Sequence, residues 1–426
     1  MDSTPPNNSP KYFDIGFNMV DPMYQGIYNG KQKHKPDLLN VLKRCHDTHV
    51  YKLLTTGSSI KESKENIKII KSILNTDTIG DKIALYYTIG VHPCCGNELV
   101  IPYSNSTIDN PSNDTENDSI DLSNIQVKRF IQSKFIELYN LISEQLINDE
   151  KHFKSVGEIG LDYDRFHYCN EDIQKFVFEQ QLKITCLLSS GNSPHKDLPL
   201  FLHMRNCCDD FVKILNKFIN GFVDYSDELD FQQIIYTKDN NCNAIIDQKS
   251  GKLYYKFNPA KKLVVHSFTG SATDLKKLFD LNIANLYIGL NGCSLKNQDI
   301  LDLLSPADNG NKTQEKNILP LDKILLETDA PWCAIRKTHP SWDLLSPMMN
   351  DFPNECYPDL NNWYRSVKPD KPDKLSDEER KTTMTKPRNE PCTMGQVVKV
   401  VSEAKKLPFN QVMQRIWQNT CDFYGV

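Results

Sequence analysis

The chain has 426 residues, of which 39% are hydrophobic and 25% charged, and a formal net charge of −5 at pH 7. This composition is typical of a globular protein built as one decorated α/β barrel or as two domains. The negative charge argues against a protein that coats nucleic acid through a basic surface, but not against an enzyme that binds a strand end through divalent cations.

Residues 1–11 are polar and rich in proline, with neither the apolar core of a signal peptide nor the arginine-rich pattern of a transit peptide. We expect a flexible segment here. No apolar stretch approaches the roughly 20 residues of a membrane span, so we expect no membrane partner. The predicted location is the cytosol, with the nucleus as a second location.

From residue 12 onward, short apolar runs alternate with longer segments of helical periodicity, which is the pattern of repeated βα units. The eight predicted strands are Tyr12–Gly16, Tyr51–Thr55, Leu85–Ile89, Ser155–Ile159, Pro199–Met204, Leu263–His266, Asn285–Gly289 and Lys323–Thr328. The predicted helices are Asp37–Thr48, Ile60–Leu74, Val127–Ile147, Asp172–Leu188, Asp209–Ile219, Thr273–Phe279, Met394–Lys405 and Pro408–Cys421. This order favours a single TIM-type (β/α)₈ barrel domain over residues 12–426, with an open doubly wound sheet as the alternative.

Four segments interrupt the βα pattern with polar, charged or proline-rich sequence, and they lie near 97–123, 224–256, 307–316 and 337–388. Such composition is typical of surface insertions, partly disordered, rather than of a core.

Thirteen cysteines form an odd number and contain no C-x-x-C pair. Neither a disulfide framework nor a structural zinc site is expected from this pattern, so we predict reduced thiols.

Acidic or imidazole side chains stand at or near the ends of five predicted strands. They are His92 after the third strand, Glu158 in the fourth, His203 and His266 at the ends of the fifth and sixth, and Asp329 after the eighth. The C-terminal ends of barrel strands converge on one mouth, where active sites are built. Carboxylates and imidazoles are ligands suited to Mg²⁺, Mn²⁺ or Zn²⁺, and a carboxylate such as Glu158 can bridge two ions. Each residue alone is more often structural, but together they predict a metal centre.

Three further residues lie near these candidates. Asp162 and Glu327 are expected either to orient a ligand histidine or to cap a helix or loop. Arg205 follows His203 by two positions on the same strand face, so it is expected to contact phosphate or to form a salt bridge at the rim. We place Asp162 and Arg205, together with His92, in the predicted substrate-binding set.

Ordered motifs along the chain, from Tyr12 to the end apart from the insertions, resemble those of the TatD deoxyribonuclease family. The motifs are Asp14-Ile-Gly-Phe-Asn18, Gly90-Val-His-Pro, Gly157-Glu-Ile-Gly-Leu-Asp-Tyr, Leu202-His-Met-Arg, Val265-His-Ser-Phe-Thr-Gly, Leu326-Glu-Thr-Asp-Ala-Pro-Trp, Arg388-Asn-Glu-Pro and Asn419-Thr-Cys. The resemblance implies a barrel of the metal-dependent hydrolase superfamily. It implies Glu158, His203, His266 and Asp329 as ligands of two divalent ions, Mg²⁺ ahead of Mn²⁺ or Zn²⁺. Glu158, His92 and Asp329 would be catalytic, with His92 beside the scissile phosphate.

The resemblance also implies an activity. This is hydrolysis of DNA phosphodiester bonds by a metal-activated water, including 3′ to 5′ exonuclease action on single-stranded ends, with a role in DNA degradation or repair. DNA is thus the expected partner, and the sequence identifies no protein partner. Two other hypotheses stay open: a barrel metallohydrolase of a small amide, lactone or ester, and a non-enzymatic protein that docks a partner through 337–388.

One motif departs from the wider superfamily, which carries Asp-x-His-x-His at the end of the first strand. Here Gly16 and Asn18 stand in place of the two histidines. The TatD branch shares this change, and we expect it to weaken one metal position.

Overall fold

The computed structural model describes residues 10–76, 79–80, 82–102, 120–189, 198–226, 228–231, 244–306, 318–345 and 364–426. The predicted flexible segment at 1–11 lies almost wholly outside the described residues, as does the whole predicted insertion at 307–316. The other three predicted insertions are described only in part.

Eight parallel strands form the central sheet and follow one another around it in chain order. They are β1 (Tyr12–Phe17), β2 (Val50–Thr55), β3 (Ala84–Ile89), β4 (Phe153–Asp162), β5 (Leu200–Arg205), β6 (Leu263–His266), β7 (Leu286–Leu290) and β8 (Ile324–Leu326). A bridge between Phe17 and Ala330 joins β1 to the segment after β8, which closes the barrel. The predicted TIM-type barrel is confirmed. The main differences are that β4 continues to Asp162 and that β8 ends at Leu326, before the predicted Thr328.

Helices cover the outside of the barrel. They are α1 (Leu38–Asp47), α2 (Ile60–Thr76), α3 (Ile125–Asn148), α4 (Glu171–Ser189), α5 (Cys208–Asn220), α6 (Ala272–Phe279), α7 (Gln298–Leu304), α8 (Met394–Lys405) and α9 (Phe409–Tyr424), with short helices at Asn97–Val100, Ser341–Leu345 and Asp377–Lys381. Single 3₁₀ turns occur at Pro22–Gln25, Pro93–Cys95, Ser294–Lys296, Leu321–Lys323, Pro372–Lys374 and Pro391–Thr393. Among the described residues, no helix is long and apolar enough to cross a membrane.

The described parts of two predicted insertions contain short β-strands. Phe222–Val223, Ile245–Ile246 and Leu253–Tyr255 form a small antiparallel sheet, and Arg365–Val367 pairs in parallel with Thr383–Thr385. Leu253 and Tyr255 are buried in the main apolar core, so these residues are anchored to the barrel by burial of apolar surface.

The barrel interior is apolar toward the N-terminal ends of the strands. A separate buried cluster there consists of Phe13, Ile15, Leu54, Tyr86, Phe201, Val264 and Leu325, together with Cys421, Phe423 and Tyr424 from the end of α9. Successive side chains on a strand point to opposite faces, so a residue two positions further on faces the same way. By this rule His203, His266 and Glu327 also face the interior, one layer closer to the C-terminal mouth. The rings of Phe201 and His266 stack 4.5 Å apart, which joins the two layers.

Cys293 and Cys333 form a disulfide, with Cα atoms 4.8 Å apart and a sequence separation of 40. The prediction that all cysteines are reduced is therefore wrong for this pair. The barrel brings the turns after β7 and β8 side by side, a contact that cysteine spacing does not reveal. The other cysteines among the described residues are free thiols.

Candidate metal centre

Three of the predicted metal ligands meet at the mouth of the barrel. Glu158 Oε1 lies 2.8 Å from His203 Nδ1 and 2.6 Å from His266 Nε2. The two imidazole nitrogens are 3.2 Å apart. The geometry follows from the sheet, because β4, β5 and β6 are neighbours and His203 pairs in register with both Gly160 and His266. Strand order and the alternation of side chains thus bring together donors that are far apart in the sequence.

His92, which follows β3, joins this group from the side. Its Nε2 atom lies 3.3 Å from Glu158 Oε1, and its ring centre lies 4.5 Å from that of His203. Its Nδ1 atom accepts a hydrogen bond from the Cys94 backbone N–H at 3.0 Å, so the Nε2 atom carries the proton and faces the centre. Donor atoms of His92, Glu158 and His203 all lie within 4.8 Å of one another, a spacing that suits a bound cation.

Asp329 lies in the turn after β8 rather than on the strand. Its backbone φ is +51°, and its Oδ1 atom accepts a hydrogen bond from Asn18 Nδ2 at 2.9 Å. Burial and the nearby charges of Glu327 and Glu158 raise the pKa of Asp329 to about 7, while His266 opposes the shift. The structure therefore places this carboxylate in the same electrostatic environment as the other predicted ligands.

A second carboxylate stands behind each ligand histidine. His203 Nε2 lies 3.1 Å from Asp162 Oδ2, and His266 Nδ1 lies 3.4 Å from Glu327 Oε1. Carboxylates in this position fix the orientation and basicity of metal-binding imidazoles. Asp162 is only 2% exposed; its Oδ2 atom contacts His203, and its Oδ1 atom accepts a hydrogen bond from the Asp164 backbone N–H at 3.0 Å. Its contact with substrate stays a prediction.

The charges of this cluster set its protonation. Burial alone would raise the pKa of Glu158, but the neighbouring His266 and His92 and hydrogen bonds from His203 and His266 hold it well below its usual range. Burial would lower the pKa of His266, yet Glu158 and Glu327 raise it well above its usual value. The pKa of His203 is raised in the same way, by Asp162 and Glu158 against the effect of burial. Both shifts favour the protonated imidazoles when no cation is bound, so cation binding competes with these protons.

The donor set fits a divalent cation. Carboxylate oxygens and imidazole nitrogens suit Mg²⁺, Mn²⁺ and Zn²⁺. At the edge of the cluster, the Cys94 Sγ atom also lies within 4.8 Å of donor atoms of His92 and Asp162. Glu327 Oε2 is buried without a hydrogen-bond partner, so this carboxylate has an unsatisfied oxygen. A buried, unsatisfied carboxylate oxygen beside these imidazoles fits a site that a cation would complete.

The substitutions at the end of β1 have a clear structural consequence. A Cβ atom added to Gly16 would lie 2.7 Å from Glu327 Oε2, so the Glu327 carboxylate occupies the space that a side chain at position 16 would need. Asn18 holds Asp329 and accepts a hydrogen bond from Thr56 Oγ1 at 2.6 Å. Gly16 thus leaves space for the Glu327 carboxylate, and the Asn18 amide orients the Asp329 carboxylate.

Asn291 is a site residue that sequence reasoning missed. Its Nδ2 atom donates to Glu327 Oε1 at 3.0 Å, beside a second donation to that oxygen from the Ser267 backbone N–H at 2.7 Å. Asn291 is the first residue after β7. A search of the predicted strand ends for amide side chains, as well as for acidic and imidazole side chains, would have found it.

Arg205 and three aromatic side chains near the same motifs lie toward the outside of the mouth. Arg205 Nε pairs with Asp164 Oδ2 at 2.7 Å, and both side chains are partly exposed. This is the salt bridge expected at the rim, and the contact with phosphate stays a prediction. Phe166, Tyr168 and Trp332 are exposed.

Comparisons with known proteins agree with this geometry. A family model described as "TatD related DNase" matches residues 27–425. The chain is 43% identical over 433 residues to the Saccharomyces cerevisiae protein "Deoxyribonuclease Tat-D", with 100% of this chain and 94% of the relative covered. It is 24% identical over 330 residues to the Erwinia tasmaniensis protein "3′-5′ ssDNA/RNA exonuclease TatD", with 77% and 83% covered.

A solved structure is also similar. It is described as an uncharacterized amidohydrolase from Saccharomyces cerevisiae, and it matches with a TM-score of 0.79 and 42% identity over 97% of this chain and 100% of that chain. The family that the motifs resemble is thus confirmed along nearly the whole sequence. This chain belongs to the TatD-related DNase family.

Proposed function

We propose that this protein is a divalent-metal-dependent deoxyribonuclease that hydrolyses phosphodiester bonds in DNA. The observation that carries the proposal is the convergence of Glu158, His203 and His266 at the mouth of the barrel, with Asp329 in the same charged environment. The names of the yeast and bacterial relatives support a nuclease rather than another hydrolase. A divalent ion at such a site supplies Lewis acidity, which polarises a phosphate oxygen and makes water more acidic.

The residues of the chain then have separate roles. Glu158, His203, His266 and Asp329 would hold the ion. His92 lies at the edge of the cluster with a proton on Nε2, and its pKa is raised by Glu158 against the effect of burial, so it can donate a hydrogen bond to the scissile phosphate. The Asp329 carboxylate lies at the same mouth and is oriented by Asn18, so it can accept a proton from a water molecule held there.

The finer assignments rest on chemistry and on the relatives. We propose Mg²⁺ ahead of Mn²⁺ or Zn²⁺, and two ions that share Glu158, of which one is held weakly because Gly16 and Asn18 replace histidines. The name of the bacterial relative supports 3′ to 5′ action on single-stranded ends, and it includes RNA as well as DNA. Roles in DNA degradation or repair, in the cytosol or nucleus, are part of this proposal.

The test is digestion of single-stranded DNA labelled at its 5′ end. With Mg²⁺ present, 3′ to 5′ action produces a ladder of progressively shorter labelled products, whereas 5′ to 3′ action releases the label at once. The same oligonucleotide in RNA form measures the preference between the two substrates. Absence of products with Mg²⁺, Mn²⁺ and Zn²⁺ would refute the nuclease proposal.

A hydrolase of a small amide, lactone or ester is the second candidate, because the similar yeast structure is described as an amidohydrolase. The same ligand types serve such substrates on the same fold. Turnover of these compounds without cleavage of DNA would favour this candidate over the nuclease.

A further inference from the structure

The turn that carries Asp329 needs support from the rest of the structure. Asp329 is a non-glycine residue with a φ of +51°, in the left-handed region, which is uncommon for such residues. Its carboxylate is also buried near Glu327 and Glu158. Such a conformation persists only where neighbouring groups fix it.

Asn389 contacts this turn on both sides of Asp329. Its Nδ2 atom donates to the backbone carbonyl of Thr328 at 3.2 Å, and its backbone N–H donates to the carbonyl of Pro331 at 2.8 Å. Asn389 is 4% exposed and reaches this point from a segment far along the chain, just before α8. The two bonds hold the peptide groups that flank Asp329.

Asn389 is itself held from its other side. Thr393 Oγ1 donates to Asn389 Oδ1 at 3.0 Å, and the Tyr24 hydroxyl donates to the Asn389 carbonyl at 3.1 Å. The Asn389 amide thus has a defined orientation, with its Nδ2 atom directed at the turn.

The neighbours of Asn389 belong to a buried ionic network. Arg388 makes two bonds of 2.7 Å to the Asp37 carboxylate and a third of 2.7 Å to Glu390 Oε1. Arg44 Nε donates to Glu390 Oε2 at 2.7 Å. The side chains of Arg44, Arg388 and Glu390 are fully buried, so these charges are satisfied within the protein rather than by a substrate. They fasten the segment to α1 and fix the place of Asn389.

We propose that Asn389 is a positioning residue for the metal centre: it holds the Thr328 and Pro331 carbonyls and thereby sets the Asp329 carboxylate. The proposal rests on the assignment of Asp329 as a ligand in the proposed function. It gives the Arg388-Asn-Glu-Pro motif a role at the active site through the turn that carries Asp329.

Asn419 provides a matched control. It is 5% exposed, and its Nδ2 atom donates to the backbone carbonyls of Leu321 and Ile324 at 2.9 and 3.1 Å, at the other end of β8. Asn389→Ala and Asn419→Ala therefore remove the same side chain from opposite ends of one strand. Both are expected to lower the melting temperature, but only the first releases the turn that carries Asp329.

The readout is the dissociation constant for Mn²⁺, measured by calorimetry without DNA. Asn389→Ala is expected to raise this constant at least about tenfold, as loss of groups that orient metal ligands does, while Asn419→Ala leaves it unchanged. In an Asp329→Ala background, Asn389→Ala should have no further effect, because the two residues act through one group. This assay contains no DNA. Unchanged Mn²⁺ binding by Asn389→Ala would therefore overturn the role of Asn389 without bearing on whether the protein cleaves DNA.

Asn389→Asp serves as a second variant if Asn389→Ala does not fold. It keeps the acceptor for Thr393 but loses the donor to Thr328, and its added negative charge would by itself strengthen cation binding. Weaker Mn²⁺ binding by this variant therefore supports the proposal. Equal or tighter binding, an equal effect of Asn419→Ala, or unchanged binding after Asp329→Ala would overturn it.

Discussion

Replacement of Asp162 by asparagine tests how the metal centre is supported. The Asp162 carboxylate lies 3.1 Å from His203 Nε2, and its side chain is almost completely buried. Asparagine keeps the shape but loses the charge, so the imidazole becomes a weaker donor to a metal. Loss of such a supporting carboxylate typically weakens metal binding 10- to 100-fold, which corresponds to about 1.4 to 2.7 kcal/mol.

The substitution should also change the pH dependence of binding. The hydrogen bond that His203 donates to Asp162 raises the pKa of His203 against the effect of burial, and His203 must lose its proton to bind a cation. In wild type, metal affinity therefore rises with pH as that proton is lost. In Asp162→Asn the pKa of His203 falls, so this rise in affinity begins at lower pH.

The assay is Mn²⁺ titration by calorimetry across a pH series, with Asp164→Asn as the control. Asp164 is two positions further along the chain, is partly exposed, and pairs with Arg205 rather than with a ligand histidine. We expect unchanged Mn²⁺ affinity for Asp164→Asn. Equal affinities of Asp162→Asn and wild type, or an unmoved pH profile, would refute the supporting role of Asp162.

Three further predictions concern the stability of the folded protein and, in one case, its Mn²⁺ affinity. Burial raises the pKa of Asp14 to about 7. The folded state therefore binds the Asp14 proton more tightly than the unfolded state does. As pH rises from about 4 to 7, the free energy of unfolding falls by at most about 4 kcal/mol. In urea denaturation, the free energy of unfolding of Asp14→Asn should rise relative to that of wild type between about pH 5 and pH 8. A difference between the two proteins that does not change with pH would contradict the prediction. Glu390→Gln leaves the guanidinium of Arg44 with an uncharged partner in a fully buried network. We expect chemical denaturation to show a free energy of unfolding lower by about 3 to 5 kcal/mol. A loss near zero would show that the network does not stabilise the protein. Gly16→Ala places a Cβ atom 2.7 Å from Glu327 Oε2. This contact should lower the free energy of unfolding by about 1 to 3 kcal/mol and weaken Mn²⁺ binding. Wild-type stability in denaturation together with wild-type Mn²⁺ affinity would show that the Glu327 carboxylate moves aside freely.

The barrel and its main ligands were accessible from sequence because they obey short-range rules. Short apolar runs between helix-like segments identified the strands, and the convergence of strand ends placed His203 and His266 at the mouth. Glu158 followed from its position in β4. Each of these inferences uses only the order of apolar runs along the chain and the convergence of strand ends.

The rest depends on contacts that no local pattern encodes. Asp329 lies beyond the end of β8 in a left-handed turn, and its support comes from Asn18 at one end of the chain and Asn389 near the other. The pairing of Cys293 with Cys333 likewise depends on which turns the barrel makes neighbours. These features follow from the closed tertiary structure rather than from spacing.

The most direct test of the central claim is the rate of cleavage of single-stranded DNA by wild type and Glu158→Gln, with Mg²⁺ in excess and both proteins shown to be folded by circular dichroism. Glu158 Oε1 contacts both His203 and His266, so its loss removes the shared point of the donor set. We expect metal-dependent cleavage by wild type, abolished by a chelator, and no detectable cleavage by the variant. Cleavage by Glu158→Gln at the wild-type rate would contradict the assignment of this cluster as the catalytic centre.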